Sequence, residues 1–379
     1  MFKRNKQPSV VLAFDDANSD KPKKQSPRLE WFKRHKKLTI VLALIAVLLI
    51  AASTVAVLYF MNQKPAAPVA VKQETPKPKP EPIHYYSPLT GGEVQTEAAT
   101  KQAVTGIMIE NSPDARPQSG LKNSGVVFEA IAEGGITRFL ALYQEQKPQL
   151  VGPVRSVRMY YVDWVAAFNA SVAHIGGSAA ALAEVRNGSY RDIDQFFNAG
   201  SYWRATDRYA PHNVYTSFEK LDALNAAKGY TSSSFTGFTR KDSTASATPN
   251  ATTIDVTISS ELYNSHYTYN AATNTYDRSE GGALHLDRKD GQISPRVVIA
   301  LKVDETTVME DGYRQSIQAI GSGSATIFQD GTVQEVTWTK ATKSDQIKFT
   351  DTNGADVALA RGQTWISAVP NGSGGVTWQ

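Results

Sequence analysis

Three patterns of apolar spacing divide the chain. From Leu38 to Phe60, 23 residues pass without one charge. About 20 apolar residues, rising ~1.5 Å each, cross roughly 30 Å of hydrocarbon, where the backbone must bond to itself. The run therefore predicts a single transmembrane helix over 38–60, flanked by Trp31, Tyr59 and Phe60 as interfacial aromatics. A cleaved signal peptide would show a shorter apolar core and then small residues. Bulky Leu58, Tyr59, Phe60 and Met61 stand there instead, which favours an uncleaved signal anchor.

The second pattern mixes periods. Val104–Ile109, Gly125–Ile131, Phe139–Tyr143 and Ser171–Ile175 are short apolar runs bounded by turn residues, and they read as buried strands. Between them the spacing is helical. One helix is expected after Ser156 with that serine as N-cap. A second, Ala-rich, is expected after Ser178. A third opens at a Thr216–Glu219 capping box and stops at Gly229. Strands mixed with helices predict an α/β or α+β domain over 85–238. A Ser/Thr-rich stretch, 239–253, reads as a linker.

From Ile254 the period becomes two. Tyr267–Tyr269 and Tyr276–Arg278 read as a hairpin. Arg296–Val303, Arg314–Ile320, Ala325–Gln329, Thr332–Thr339, Gln346–Phe349 and Thr364–Val369 read as strands, with Asp330-Gly331 and Asn353-Gly354 as hairpin turns. This predicts a mainly antiparallel β-domain over 254–379, with Trp338 and Trp365 in its core.

Charge changes the picture at the N-terminus. The formal net charge is +4, but residues 1–37 hold eleven Lys/Arg against four acids, and the residues after the apolar run hold 29 against 32. The positive-inside rule then places a basic tail, 1–37, in the cytoplasm and the slightly acidic bulk outside. Residues 61–84 contain six prolines among alternating Lys and Glu. They predict an extended stalk of up to about 60 Å between bilayer and head. The chain has no Cys, so disulfides, thiolate metal sites and Cys nucleophiles are excluded.

Candidate chemistry concentrates in the first domain. Glu110, Glu129 and Glu133 fall on strands, while Arg116, Arg138, Arg155 and Arg158 fall in loops or at helix starts. Charges on buried strands are costly unless paired, so these acids are expected to meet these arginines. Any arginine left open would offer a planar fork to a carboxylate or phosphate. Ser156 and Ser178 would add hydroxyls there. His174 and His212, with Glu110 and Glu133, are the candidates for acid–base chemistry. His174-Ile-Gly-Gly-Ser178 departs from a nucleophile elbow because Ala180 replaces the second glycine. His266 and His285 show no metal-ligand spacing, and neither cofactor nor metal is expected.

Six of these strings carry a resemblance: Ser87-Pro-Leu-Thr-Gly91, Ala115-Arg-Pro-Gln-Ser-Gly-Leu121, Glu133-Gly-Gly-Ile-Thr-Arg138, Gly152-Pro-Val-Arg-Ser-Val-Arg158, His174–Ser178 and Pro211-His-Asn213. With Tyr267, Tyr269, Tyr276, Arg278, Asp330-Gly331 and Gly362-Gln-Thr-Trp365, the chain resembles the YerB-like family of bacterial envelope proteins over about 85–370. The resemblance implies a two-domain exterior in a family of lipoproteins of unknown function, and it brings no catalytic residues. Its typical members are lipidated on Cys. This chain, without Cys, keeps an apolar helix instead.

The expectation is a single-pass, extracytoplasmic envelope protein held in the lipid bilayer by 38–60. It would bind an anionic envelope ligand or protein partner through Arg116, Arg138, Arg155, Arg158, Ser156 and Ser178, with His174 and His212 lining the same cleft. The alternative is a hydrolase of a phosphate-bearing or glycan polymer, using His212, Glu110 or Glu133 as acid or base. Nucleic acid is not an expected partner, because no basic–aromatic interleaving occurs outside the membrane segment.

Overall fold

The computed structural model describes residues 36–64, 83–307 and 314–379. The basic tail and most of the Pro-rich stalk lie outside the described residues. The chain divides into two units, Met1–Pro80 and Glu81–Gln379.

In the first unit the apolar run forms α1, Lys36–Met61, a little longer than the uncharged stretch itself. None of its residues is buried by protein. Two of its hydroxyls bond back to the helix itself. Ser53 Oγ donates to the Ile50 carbonyl at 2.8 Å and Thr54 Oγ1 donates to the same carbonyl at 2.6 Å. That is the requirement a hydrocarbon surrounding imposes.

The second unit is mainly β with a few short helices. Its first strands are β1 (Thr105–Glu110), β2 (Val126–Glu133), β3 (Ile136–Tyr143), β4 (Ser171–Ala173) and β5 (Arg191–Asp192). Helices α2 (Met159–Val165), α3 (Ala179–Val185) and α4 (Phe218–Ala227) lie among and after them. The period-two half gives β6 (Thr253–Thr257), β7 (Ser265–Asn270), β8 (Thr275–Glu280), β9 (Ala283–Leu284), β10 (Val297–Val303), β11 (Gly321–Gln329), β12 (Thr332–Lys340), β13 (Lys348–Thr350), β14 (Thr364–Pro370) and β15 (Gly375–Trp378).

The two halves share one sheet, in the order β13-β12-β11-β10-β14-β2-β3-β1-β4-β5. Strand β14, from near the C-terminus, pairs in parallel with β10 on one side and with β2 on the other. The period of each half shows its own strands but not this join. A second sheet, β9-β8-β7-β6-β15, packs against the shared one.

Strands β1 to β3 read as continuous apolar runs because both of their faces are covered. On one face, Trp164 of α2 stacks on Phe128 with centroids 5.1 Å apart. On the other, Phe139 meets Trp365 edge-on at 5.2 Å. Trp338 and Trp365 are both fully buried, as the pattern predicts, but Trp365 sits in a core made largely by the first half.

Two of the three helix starts differ from expectation. α2 begins at Met159 rather than just after Ser156. The chain is still extended at Arg155, whose N–H bonds the Met108 carbonyl, and at Val157, which bridges Gly177. Ser156 Oγ donates instead to the Ile175 carbonyl. Ser178 occupies the N-cap position of α3 without a side-chain cap bond. α4 is capped by Ser217, one residue beyond the expected Thr216, because Thr216 is taken up in the Val214–Thr216 strand. The stretch read as a linker is also tied down. Arg240 donates to the Ala360 and Leu89 carbonyls and to Thr364 Oγ1, and Phe238 packs into the core.

Candidate functional site

The expected acid–arginine pairing forms at the adjoining ends of β1, β2 and β3, where the 153–158 segment runs alongside β1. Glu133 ends β2, and Arg138 enters β3 after the Gly134-Gly135 turn. Glu133 Oε1 accepts from Arg138 Nη2 at 3.0 Å and from Arg158 Nη2 at 2.7 Å, and Oε2 accepts from Arg158 Nε at 3.1 Å. Arg138 Nη1 also donates to the Ser156 carbonyl, and Arg158 Nη1 to the Val157 carbonyl. Burial pushes Glu133 up, but the charges of Arg138 and Arg158 outweigh it and hold the carboxyl below its usual range. Two guanidiniums thus share one carboxylate, leaving the trio a net positive charge.

This trio backs a cavity of about 450 Å³ between the starts of α2 and α3 and the Gln315–Ile317 strand. Arg158, Tyr160, Asp163, Ser178, Arg314 and Ser316 are among its walls. Walls therefore come from both halves of the sequence. Burial raises the Asp163 carboxyl, opposed by Lys343. On the hairpin that includes Gln315–Ile317, burial pushes the Glu305 carboxyl up to about 7. Neither acid stood out in the sequence.

A second cluster gathers Glu110, Ser112, Arg155 and His212. Glu110 Oε1 accepts from Ser112 Oγ at 2.9 Å, meets His212 Nδ1 at 2.9 Å and lies 3.3 Å from Arg155 Nε. Ser112 Oγ and His212 Nδ1 are 3.1 Å apart. A nucleophile relay needs the hydroxyl on one ring nitrogen and the carboxylate on the other. Here both meet Nδ1, while Nε2 is 3.9 Å from exposed Asp114. The arrangement is a hydrogen-bonded knot rather than a hydroxyl activated for attack.

Two expected members stand apart. His174 is completely enclosed and so lines no cleft with His212, which corrects the expectation. Its Nδ1 meets the Gly176 carbonyl at 2.9 Å and its Nε2 meets Asp192 Oδ1 at 3.0 Å. With Asp194 these groups are close enough together to hold a cation. Their donor atoms are already engaged, however. Asp194 pairs with Arg186 and accepts from the Phe196 N–H, and Asp192 Oδ1 accepts from the Asp194 N–H. Arg116 reaches from the first half to the second. It donates to Asn111 and to the Leu262 carbonyl, and lies 3.4 Å from Glu280 Oε2.

One buried charge cluster departs from the expectation that Glu129 meets a first-domain arginine. Arg278 of β8 is fully enclosed and donates to both oxygens of Glu129, at 3.1 and 2.9 Å, and to Glu280 Oε1 at 3.3 Å. Trp365 Nε1 donates to Glu129 Oε2 at 2.9 Å, and the Trp365 ring lies 4.5 Å from the guanidinium. His285 accepts from Arg278 at Nδ1 and donates from Nε2 to Gln118 Oε1. Burial, with the charges of Arg278 and Arg116, pushes the imidazole well below its usual pKa, so it is neutral. A signal was present in the pattern. Tyr276, Arg278 and Glu280 occupy alternate positions of β8, and all three are buried.

Residues 89–231 match the family model described as "Protein of unknown function (DUF3048) N-terminal domain", and residues 254–366 match its C-terminal counterpart. The chain is 31% identical over 290 residues to the Bacillus subtilis (strain 168) protein named "Putative lipoprotein YerB", covering 75% of this chain and 86% of that one. The crystal structure of YerB from Bacillus subtilis superposes with a TM-score of 0.69 at 29% identity, covering 77% of this chain and 99% of that one. The pairs Arg138–Glu133 and Arg278–Glu129 both lie within the matched regions. The chain belongs to this YerB-like family of proteins of unknown function.

Proposed function

We propose that the protein is a single-pass, extracytoplasmic envelope protein that binds an anionic ligand in the cavity walled by Arg158 and Ser178. The observation carrying this reading is that Arg138 and Arg158 share the single carboxylate of Glu133, which leaves one positive charge uncompensated behind the cavity. The chemistry suits a phosphate or carboxylate group of an envelope polymer. Ser178, half-buried and free of any capping bond, supplies a hydroxyl at the wall. The excess of Lys/Arg before α1 supports a cytoplasmic N-terminus, with the bilayer as the partner of α1. Binding is favoured over hydrolysis. Glu133 is held ionised and so makes a poor proton donor, and the Ser112–His212–Glu110 knot activates no hydroxyl.

The test is calorimetric titration of the full chain in detergent with inorganic pyrophosphate. Glu133→Gln removes the compensating charge and should tighten binding. Ser178→Ala should weaken it by up to about tenfold, the worth of a hydrogen bond to a charged group. Absence of binding, or indifference to both substitutions, refutes the reading.

A further inference from the structure

The cavity beside the Glu133 trio is not walled by positive charge alone. Asp163 of α2 lines it too, along with Arg158, the N-cap residue of the same helix, and Ser178 across the space. One cavity of about 450 Å³ is therefore bordered by a guanidinium and by an acid.

The two carboxylate oxygens of Asp163 are unlike each other. Oδ1 is enclosed and lies 3.6 Å from Lys343 Nζ, longer than a hydrogen bond. Oδ2 bonds nothing among the described residues, and the side chain is 14% exposed where it lines the cavity. Lys343 is a divided partner, because its ammonium donates to Glu184 Oε1 at 2.8 Å. Two carboxylates thus contact one ammonium, the reverse of the two guanidiniums on Glu133. Lys340 is the other cation nearby, but its ammonium donates to the Lys343 and Asp345 carbonyls. Burial raises the Asp163 carboxyl, and the pull of Lys343 and Lys340 does not bring it back.

A simple anion entering this cavity meets Asp163 as a repulsion. An ammonium carried by the same ligand makes the acid a partner, donating to Oδ2 while the anion lies on the arginine side. We propose that the ligand of this cavity is a zwitterion, a phosphate group that carries an ammonium on a short stem. The inference rests on the anion reading above and specifies its ligand. A lipid headgroup and a free or polymer-borne aminophosphate share this chemistry.

Calorimetric titration of the full chain in detergent compares ethyl phosphate with phosphoethanolamine at about pH 7.5, where an alkyl ammonium keeps its proton. Phosphoethanolamine should bind at least about tenfold more tightly, the worth of one hydrogen bond to a charged group. Asp163→Asn should remove that preference and leave ethyl phosphate binding no weaker, which also reports an intact cavity. Lys343→Ala removes a half-exposed competitor for Asp163 and should enlarge the preference several-fold. Glycerophosphoethanolamine separates the sources. Binding as tight as phosphoethanolamine supports the proposal with a lipid headgroup as ligand, and weaker binding supports it with a phosphate monoester. If pyrophosphate and both monoesters all fail to bind, the anion reading itself is refuted. If pyrophosphate binds but the amine brings no preference, or the preference persists in Asp163→Asn, this inference alone is overturned.

Discussion

The two arginine–carboxylate clusters are built from the same chemistry in different proportions. Around Arg278, two carboxylates surround one fully enclosed guanidinium, with Arg116 3.4 Å from Glu280, and an indole, two further rings and a neutral imidazole close the shell. Its partners come from both halves of the sequence: Glu129 from β2, Trp365 from β14, and Arg278 and Glu280 from β8. Around Glu133 the ratio is inverted, with two guanidiniums on one carboxylate, and that carboxylate is 23% exposed. Pairing alone therefore identifies neither a lock nor a site. The balance of charge, and how far the carboxylate reaches solvent, make the difference.

The largest effect should come from breaking the lock. Arg278→Ala leaves Glu129 and Glu280 facing each other in the core. Removing one partner from a buried pair costs about 3–5 kcal/mol, a fall in the unfolding midpoint on the order of 10 °C. Calorimetry checks this, and a loss under about 1 kcal/mol would remove the contrast with Glu133. The lock should also fail in acid. The His285 pKa is depressed in the fold, so the unfolded chain takes up a proton below about pH 6.5 that the folded chain refuses. That part of the stability is complete above 6.5 and falls by up to about 1.4 kcal/mol per pH unit below it. Urea unfolding at neutral and mildly acid pH should show a steeper loss in the natural protein than in His285→Gln.

At the other cluster the cost should be smaller and the sign of a second readout reversed. Glu133→Gln should destabilise by about 2 kcal/mol, less than Arg278→Ala because the carboxylate reaches solvent. It should nonetheless tighten anion binding, since the two arginines then carry their full charge. The folded Glu133 pKa is depressed, so its stabilisation is present above about pH 4.5 and is lost as the pH falls through the folded value. In Glu133→Gln that part of the acid dependence should vanish. If the substitution weakens pyrophosphate binding instead, the exposed cluster is only another lock.

Much of this was legible beforehand, for reasons particular residues show. The apolar run of α1 is set by composition alone. The turn at Asp330-Gly331 is set by two residues that tolerate positive φ, which they adopt at 60° and 76°. That Glu133 meets Arg138 and Arg158 followed from the cost of unpaired charge on a strand. The Arg278 lock was hidden because its partners are 149 and 2 residues away, and local spacing cannot reveal which distant strand a buried charge will face. The same holds for β14, whose parallel pairing with β2 has no local signature. His174 misled for the opposite reason. A histidine in a Gly-rich turn looks available, but Asp192 and the Gly176 carbonyl enclose it.

The smallest stability effect belongs to Ser178, and it gives the sharpest separation of fold from site. Ser217 and Ser178 both stand at helix N-caps, but only Ser217 accepts a cap bond, from the Lys220 N–H at 3.3 Å. Ser217→Ala should therefore cost about 1 kcal/mol of stability. Ser178→Ala should cost less than about 0.5 kcal/mol, as expected of a half-buried residue that bonds nothing by its side chain. Pyrophosphate binding should reverse the ranking, unchanged by the first substitution and weakened by the second. If Ser178→Ala instead costs as much stability as Ser217→Ala and leaves binding alone, the serine is a helix start and nothing more. The cavity would then have to hold its anion by the arginines alone.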